Sequence, residues 1–230
     1  MHAVVVHPRR AALAGGHVVE RPRARRDAVL EEPHPAAHQL RAEVDAEPVD
    51  LVSVEEGLDH AAAGKDQDVG VVHFATTAEI NAALRQEPVH VLHLSGHGRP
   101  GLLELEREDG NARQVTADQF VTEAVPPGRM PPVIALAACH TDAAAAGDPS
   151  FAARLIARGA NVVIGTETAV TDVYATRAFA RIYGALADDE AMDVLGAVAD
   201  ARRTVQQELQ GSPDEGEQRL GALGEWAVLA

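Results

Sequence analysis

One cysteine and one glycine-flanked histidine are the residues of this chain best suited to chemistry. Cys139 is the only cysteine among 230 residues, and it follows an apolar run at 133–138. His97 follows a second apolar run at 89–94 and lies between two glycines. A thiolate is a strong nucleophile near neutral pH, and an imidazole can take the thiol proton. The two residues therefore predict a cysteine–histidine catalytic dyad.

The elements around these residues indicate how they would be brought together. Short apolar runs are typical of buried strands in a parallel sheet, and open α/β sheets carry their sites at the carboxyl ends of such strands. A helix is predicted to start near Ser150, where its positive end would favour a thiolate. Gly96 and Gly98 allow a sharp turn and a close approach of a substrate carbonyl. The amides of Gly98 and Cys139 are thus candidates for an oxyanion hole.

Alternating strand and helix patterns predict an α/β fold with a mainly parallel sheet flanked by helices. Strands are predicted at 49–54, 89–94, 133–138, 161–166 and 226–229, with a β-hairpin from 102. Helices are predicted at 77–84, at 115–121 with Thr116 as N-cap, at 150–159 with Ile156 on the apolar stripe, from Asp172 onward, and at 190–209. Residues 1–45 are predicted to be a poorly defined N-terminal segment with one short strand at 3–6, and 46–230 to be a single domain.

Composition excludes several classes of partner. The formal charge is −15 and the pI is near 5.1, so phosphate-rich partners such as nucleic acids and acidic membranes are disfavoured. A single cysteine cannot form an internal disulfide, which favours a reducing compartment. No apolar run approaches the ~20 residues that a membrane span needs. We therefore predict a cytoplasmic protein that binds neither nucleic acid nor membrane.

Two other motifs suggest other kinds of site. His90, His93 and His97 invite a metal site, but residues three apart on a strand point to opposite faces, and His140 is the only further ligand nearby in sequence. The segment 96–101 matches the dinucleotide fingerprint G-x-G-x-x-G. That fingerprint needs a helix directly afterwards, whereas a proline and a strand pattern follow here. We expect no metal and treat the glycine pattern as a chance match.

An acidic residue lies beyond the third predicted strand. Asp172 begins a helix, so it is either an N-cap or a contact for a basic substrate side chain. Glu167 is the rival acid for that contact.

Several ordered blocks resemble the CHAT domain, a branch of caspase-like cysteine peptidases related to separases. The blocks are Val91 to Gly98, Leu136 to Thr141 and Leu155 to Thr166, and the likeness extends over roughly 75–230. The resemblance implies a caspase-like three-layer α/β sandwich. It also implies His97 as the catalytic histidine, Cys139 as the nucleophile, and Asp172 as a contact for the substrate residue before the cut.

The function expected on these grounds is that of a cysteine endopeptidase. It would hydrolyse peptide bonds of a protein or peptide substrate through a Cys139 thioester, with His97 as general base and acid and without a cofactor. We expect regulation by an activating protein partner or by proteolysis. Two alternatives stay open: a catalytically silent CHAT-fold module that binds proteins, and a Rossmann-like or flavodoxin-like nucleotide-binding domain.

Overall fold

The computed structural model describes residues 2–8, 67–73, 75–145, 147–188 and 193–224. Eight strands lie in this part of the chain: β1 His2–Pro8, β2 Gln67–His73, β3 Val91–Ser95, β4 Gly98–Arg99, β5 Leu102–Glu106, β6 Ala112–Thr116, β7 Val133–Ala137 and β8 Val162–Ile164. The six helices of the same part are α1 Thr77–Gln86, α2 Ala117–Ala124, α3 Phe151–Ala157, α4 Asp172–Asp188, α5 Val194–Gln210 and α6 Glu215–Gly224. The fold is therefore mixed α/β.

The larger sheet has five strands in the order β2-β1-β3-β7-β8. Strands β3, β7 and β8 pair in parallel, with Ser95 opposite Ala137 at the carboxyl end. Strand β1 pairs antiparallel with both β2 and β3. The expectation of a mainly parallel sheet is thus correct for three neighbouring strands only. An apolar strand looks the same in sequence whichever way its neighbour runs, so the pattern could not reveal this reversal.

The N-terminal strand predicted at 3–6 is confirmed as β1, which lies inside the sheet between β2 and β3. The strands predicted at 49–54 and 226–229 lie outside the described residues. The boundary between residues 45 and 46 stays a prediction.

Side-chain capping defines where two helices begin. The hydroxyls of Thr76 and Thr116 each accept a hydrogen bond from the backbone amide three residues later. In return, the side chains of Glu79 and Gln119 accept a hydrogen bond from the amide of the capping threonine. This reciprocal arrangement satisfies amides that have no partner within the helix. The helix predicted at 115–121 therefore begins later than expected. Val115 belongs to β6, where its side chain is fully buried.

Both faces of the larger sheet are covered by apolar side chains from helices. Leu92 and Leu94 of β3 belong to one core cluster with α1, α2 and α3. Val91 belongs to a second cluster with α4 and α5. Alternate residues of a strand point to opposite faces, so β3 contributes to both clusters. In α3, Ile156 is 45% exposed, so its predicted place on the apolar stripe is wrong.

The predicted β-hairpin is confirmed as β5 and β6, and β4 adds a third strand to it. Leu103, Leu105 and Val115 are buried in the core beneath this small sheet. The alternate residues of β5, including Leu102 and Glu104, lie on the outward face of this sheet. No helix in the described part of the chain is long and apolar enough to cross a membrane.

Candidate active site

The loops that carry His97 and Cys139 leave the same edge of the larger sheet. Because β3 and β7 are adjacent and parallel, their carboxyl ends lie side by side. The amide of Gly96 donates a hydrogen bond to the carbonyl of Ala137 at 3.2 Å, which joins the two loops at their start. The prediction that these strands deliver both loops to one edge is confirmed.

The backbone at Gly98 lies directly against the backbone at Cys139. A Cβ atom at position 98 would lie 2.4 Å from the carbonyl oxygen of Cys139 and 3.1 Å from Cγ2 of Thr141. Only glycine can occupy this position without moving the neighbouring loop, since a Cβ atom needs more than 3 Å. The structure therefore brings together the two residues whose amides we predicted as an oxyanion hole.

Two buried hydroxyl groups hold the peptide bond that precedes Cys139. The hydroxyl of Thr166 donates to the carbonyl of Ala138 at 2.7 Å, and the hydroxyl of Thr141 donates to the same carbonyl at 3.2 Å. Thr141 also accepts a hydrogen bond from the amide of Thr166 at 3.1 Å. In a trans peptide the N–H points opposite to the C=O. These bonds consequently orient the Cys139 amide away from Thr166.

The chain turns sharply directly after Cys139. His140 has a φ of 57°, the left-handed region that residues other than glycine seldom adopt. Its amide donates to the carbonyl of Thr168 at 3.2 Å, and its Nδ1 lies 3.4 Å from the carbonyl oxygen of Glu167. Contacts with the segment after β8 thus stabilise a strained turn next to the cysteine.

The thiol of Cys139 is half-buried and donates a hydrogen bond to the carbonyl oxygen of Val170, with Sγ and O 3.6 Å apart. Within the described residues no hydrogen bond joins this thiol to the imidazole of His97. The arrangement is that of a resting cysteine.

The amide of Gly98 is free of the ladder between β4 and β5. Glu104 donates to the carbonyl of His97 at 2.9 Å, which makes that opposed pair a hydrogen-bonded one. Gly98 opposes Leu103 at the next position, and antiparallel ladders alternate hydrogen-bonded with non-bonded pairs. Its N–H therefore faces away from β5, and no backbone acceptor binds it among the described residues.

The side chain of His97 is exposed and lines a cavity of about 270 Å³. The remaining lining comes from the small three-stranded sheet and includes Arg99, Leu102, Glu104 and Gln114. This cavity lies on the side of His97 that faces the hairpin. The sequence did not suggest it, because its walls come from three different strands.

Asp172 is exposed and is the first residue of α4, two positions after the carbonyl that binds Cys139. The helix is capped by Thr171, whose hydroxyl accepts a hydrogen bond from the amide of Tyr174 at 3.3 Å. The expectation that Asp172 could be the N-cap is therefore wrong. Its carboxylate lies in the first helical turn, close along the chain to the cysteine contact.

The three histidines of β3 and its flanks do not converge. His90 is exposed before the strand, whereas His93 is buried in its middle. Nδ1 of His93 lies 2.7 Å from the hydroxyl of Tyr183, and Phe179 packs edge-on against the ring with centroids 4.8 Å apart. Burial lowers the pKa of His93 from 6.5 to about 4, so the ring is neutral at pH 7. His93 therefore packs in the core, on the face of the sheet opposite to Leu92 and Leu94.

Sequence reasoning missed the residues that hold the cysteine loop. These are Thr141, Thr166 and the carbonyl of Val170. The available signal was a pair of threonines in the segments that follow two apolar strands. A buried hydroxyl needs a hydrogen-bond partner, and a backbone carbonyl can supply it.

The described residues thus define an α/β protein with a cysteine loop and a histidine loop packed together at the carboxyl edge of parallel strands. The model of the CHAT domain family matches residues 3–219. The chain therefore belongs to the CHAT domain family, which is caspase-like. The match begins within β1, well before the region over which we noted the resemblance. A comparison with curated proteins found no match.

Proposed function

We propose that this protein is a caspase-like cysteine endopeptidase with Cys139 as nucleophile and His97 as general base and acid. The observation that carries the proposal is the backbone contact between Gly98 and Cys139, which packs the histidine loop against the cysteine loop. Membership of a caspase-like family supports the same assignment. We also propose that the chain adopts the three-layer α/β sandwich of caspase-like proteins.

The reaction follows from the groups available at the site. His97 takes the proton of the Cys139 thiol, and the thiolate attacks the carbonyl carbon of the scissile peptide bond. The amides of Gly98 and Cys139 stabilise the oxyanion of the tetrahedral intermediate. As the C–N bond breaks, His97 passes its proton to the leaving amine and a thioester remains. A water molecule, activated by His97, then hydrolyses the thioester and restores the thiol.

Asp172 is the proposed contact for the substrate residue that precedes the cleaved bond. Its exposed carboxylate at the start of α4 would attract a basic side chain. The site requires no metal and no cofactor in this proposal.

The hydrogen bond from Cys139 to Val170 suggests how the activity is controlled. The thiol must rotate away from that carbonyl before His97 can take its proton. We propose that an activating protein partner, or cleavage of the chain itself, shifts the segment at 167–171 and raises the fraction of molecules with a released thiol above a small basal fraction in the isolated protein. Regulation of this kind would protect other proteins of the same compartment.

The proposal is tested by the rate at which Cys139 reacts with iodoacetamide between pH 5 and pH 9. The basal fraction of the wild type with a released thiol should react below pH 7, and His97→Ala should lower that rate about tenfold or more by removing the base. His90→Ala is the matched control, because His90 is also exposed and precedes β3, at the end of the strand opposite to His97. Equal pH profiles for all three proteins would contradict a working dyad.

A second candidate function is favoured by the resting thiol. Since no described hydrogen bond joins Cys139 to His97, a catalytically silent protein-binding module also fits the geometry. Cys139→Ala discriminates the two functions. It abolishes hydrolysis in a peptidase, whereas a binding module retains its partner with unchanged affinity.

A further inference from the structure

The cavity beside His97 points to a specificity pocket on the leaving-group side of the substrate. We propose that it binds the side chain of the residue that follows the cleaved bond, and that Glu104 selects a basic side chain there. The inference rests on the peptidase function proposed above and extends it to the hairpin surface beside His97.

The order of the strands decides which half of a substrate lies over the cavity. His97 follows β3 and Cys139 follows the neighbouring strand β7, so the histidine and the cysteine lie side by side at the sheet edge. The histidine of such a dyad delivers its proton to the leaving amine. The leaving half of the peptide must therefore extend past His97, while the acyl half extends in the opposite direction, past Cys139. The cavity is lined by His97 and by the hairpin, and by no residue of the 139–142 loop.

The volume of the cavity suits one side chain. At about 270 Å³ it is slightly below the roughly 300–1,000 Å³ typical of pockets for small organic ligands. Leu102 supplies apolar surface, and Glu104 and Gln114 are opposed across β5 and β6 at the next position of the outward face. An apolar wall followed by a carboxylate matches a long basic side chain, whose methylene groups pack while its charged end reaches an acid.

The carboxylate of Glu104 has no cation of its own in the described part of the chain. It is half-buried, and no hydrogen bond or ion pair joins it to another described residue. A nearby carboxylate, in contrast, has a cation partner. Glu123 of α2 binds Arg113 of β6 through two contacts of 2.6 and 2.7 Å, on the other face of the hairpin. A half-buried carboxylate without a partner attracts a cation that enters beside it.

Arg99 is the one lining residue that argues for an acidic substrate side chain instead. It is exposed on the edge strand β4, opposite Leu102, whereas Glu104 is half-buried on the central strand. A charge in bulk solvent is screened more strongly than one with low-dielectric walls around it. Glu104 therefore dominates the interior of the cavity. The net charge of −15 also attracts basic peptides.

The pocket is tested without catalysis by titrating argininamide into isotope-labelled Cys139→Ala protein and following backbone amide signals by NMR. Argininamide mimics the free N-terminal residue of the released half. We expect shifts at the amides of the hairpin, and a dissociation constant about three- to tenfold weaker after adding Glu104→Gln. Glu108→Gln is the matched control, since Glu108 is exposed in the turn of the same hairpin. Tighter binding of isoglutamine, the α-amide of glutamate, or the absence of any hairpin shift, would overturn the proposal.

The second arm uses cleavage by the wild type of peptides prepared from a whole proteome, with sequencing of the new N-termini. We expect Lys and Arg to be enriched at those termini, and Glu104→Lys to replace this enrichment by one for Asp and Glu. Cleavage with no such preference would refute the pocket and leave the peptidase function intact. Argininamide binding that depends on Glu104, together with no cleavage of any peptide and equal iodoacetamide pH profiles for the wild type and His97→Ala, would refute the peptidase function and leave the pocket intact.

Discussion

Replacing Gly98 by alanine tests the contact on which the proposed site depends. The new Cβ would lie 2.4 Å from the carbonyl oxygen of Cys139 and 3.2 Å from Cβ of Ala138. Carbon–oxygen contacts in proteins are no closer than about 3.3 Å even when they are favourable. The oxygen belongs to the backbone and cannot rotate away. The two loops must therefore separate by about 1 Å, which is the difference between these distances.

Two effects of different size follow from this separation. Overpacking of this kind costs about 1–3 kcal/mol of unfolding free energy. A protein with an ordinary stability of about 5–15 kcal/mol would still be folded. A displacement of about 1 Å at a reacting group, however, can lower a rate by about 100-fold. We thus expect Gly98→Ala to remain folded while it loses most of its peptide hydrolysis.

The assay combines urea unfolding with peptide hydrolysis, and Gly184→Ala is the matched control. Gly184 lies within α4, and among the described residues no atom outside its own stretch of helix lies within 4 Å of the Cβ that alanine would add there. Glycine inside a helix is less stable than alanine by about 0.5–1 kcal/mol, so the control should be slightly more stable and fully active. If Gly98→Ala unfolds at the wild-type urea concentration and hydrolyses peptides at the wild-type rate, the loops are not in the contact described.

Three further predictions concern stability, each measured by urea unfolding. Burial holds the pKa of His93 at about 4 against 6.5 in the unfolded chain, so stability is full above pH 6.5 and falls by about 3 kcal/mol toward pH 4. His93→Leu should remove this decline, and an unchanged slope would show that another group titrates. Thr166→Val removes a buried hydrogen bond to the carbonyl of Ala138 and should cost about 1 kcal/mol, whereas loss of the more exposed hydroxyl of Thr168 should cost little. Thr116→Ala removes the N-cap of α2 and should cost about 1 kcal/mol, unless the helix begins elsewhere.

Local patterns in the sequence determined several parts of the fold. Short apolar runs predicted β3, β7 and β8, because a buried strand needs apolar side chains on both faces. Thr116 was predicted as a cap from its hydroxyl and from the helical pattern after it, and both are properties of neighbouring residues. The hairpin that starts at 102 was predicted for the same reason: alternation and turn residues act over a few positions. The edge at which His97 and Cys139 would emerge also followed from these runs.

Other features depended on contacts between segments distant in the chain. The direction of β1, the exposure of Ile156, the hydroxyls around the cysteine loop and the partner of the Cys139 thiol all belong to this group. The thiol and the carbonyl of Val170 are separated by 31 residues, and the hydroxyl of Thr166 and the carbonyl of Ala138 by 28. A hydrogen bond depends on the distance and angle between two groups, and no local pattern encodes the position of the second group. The sequence alone determined which residues have the chemistry, while the tertiary structure decided that the thiol rests against a backbone carbonyl and that Gly98 lies against its loop.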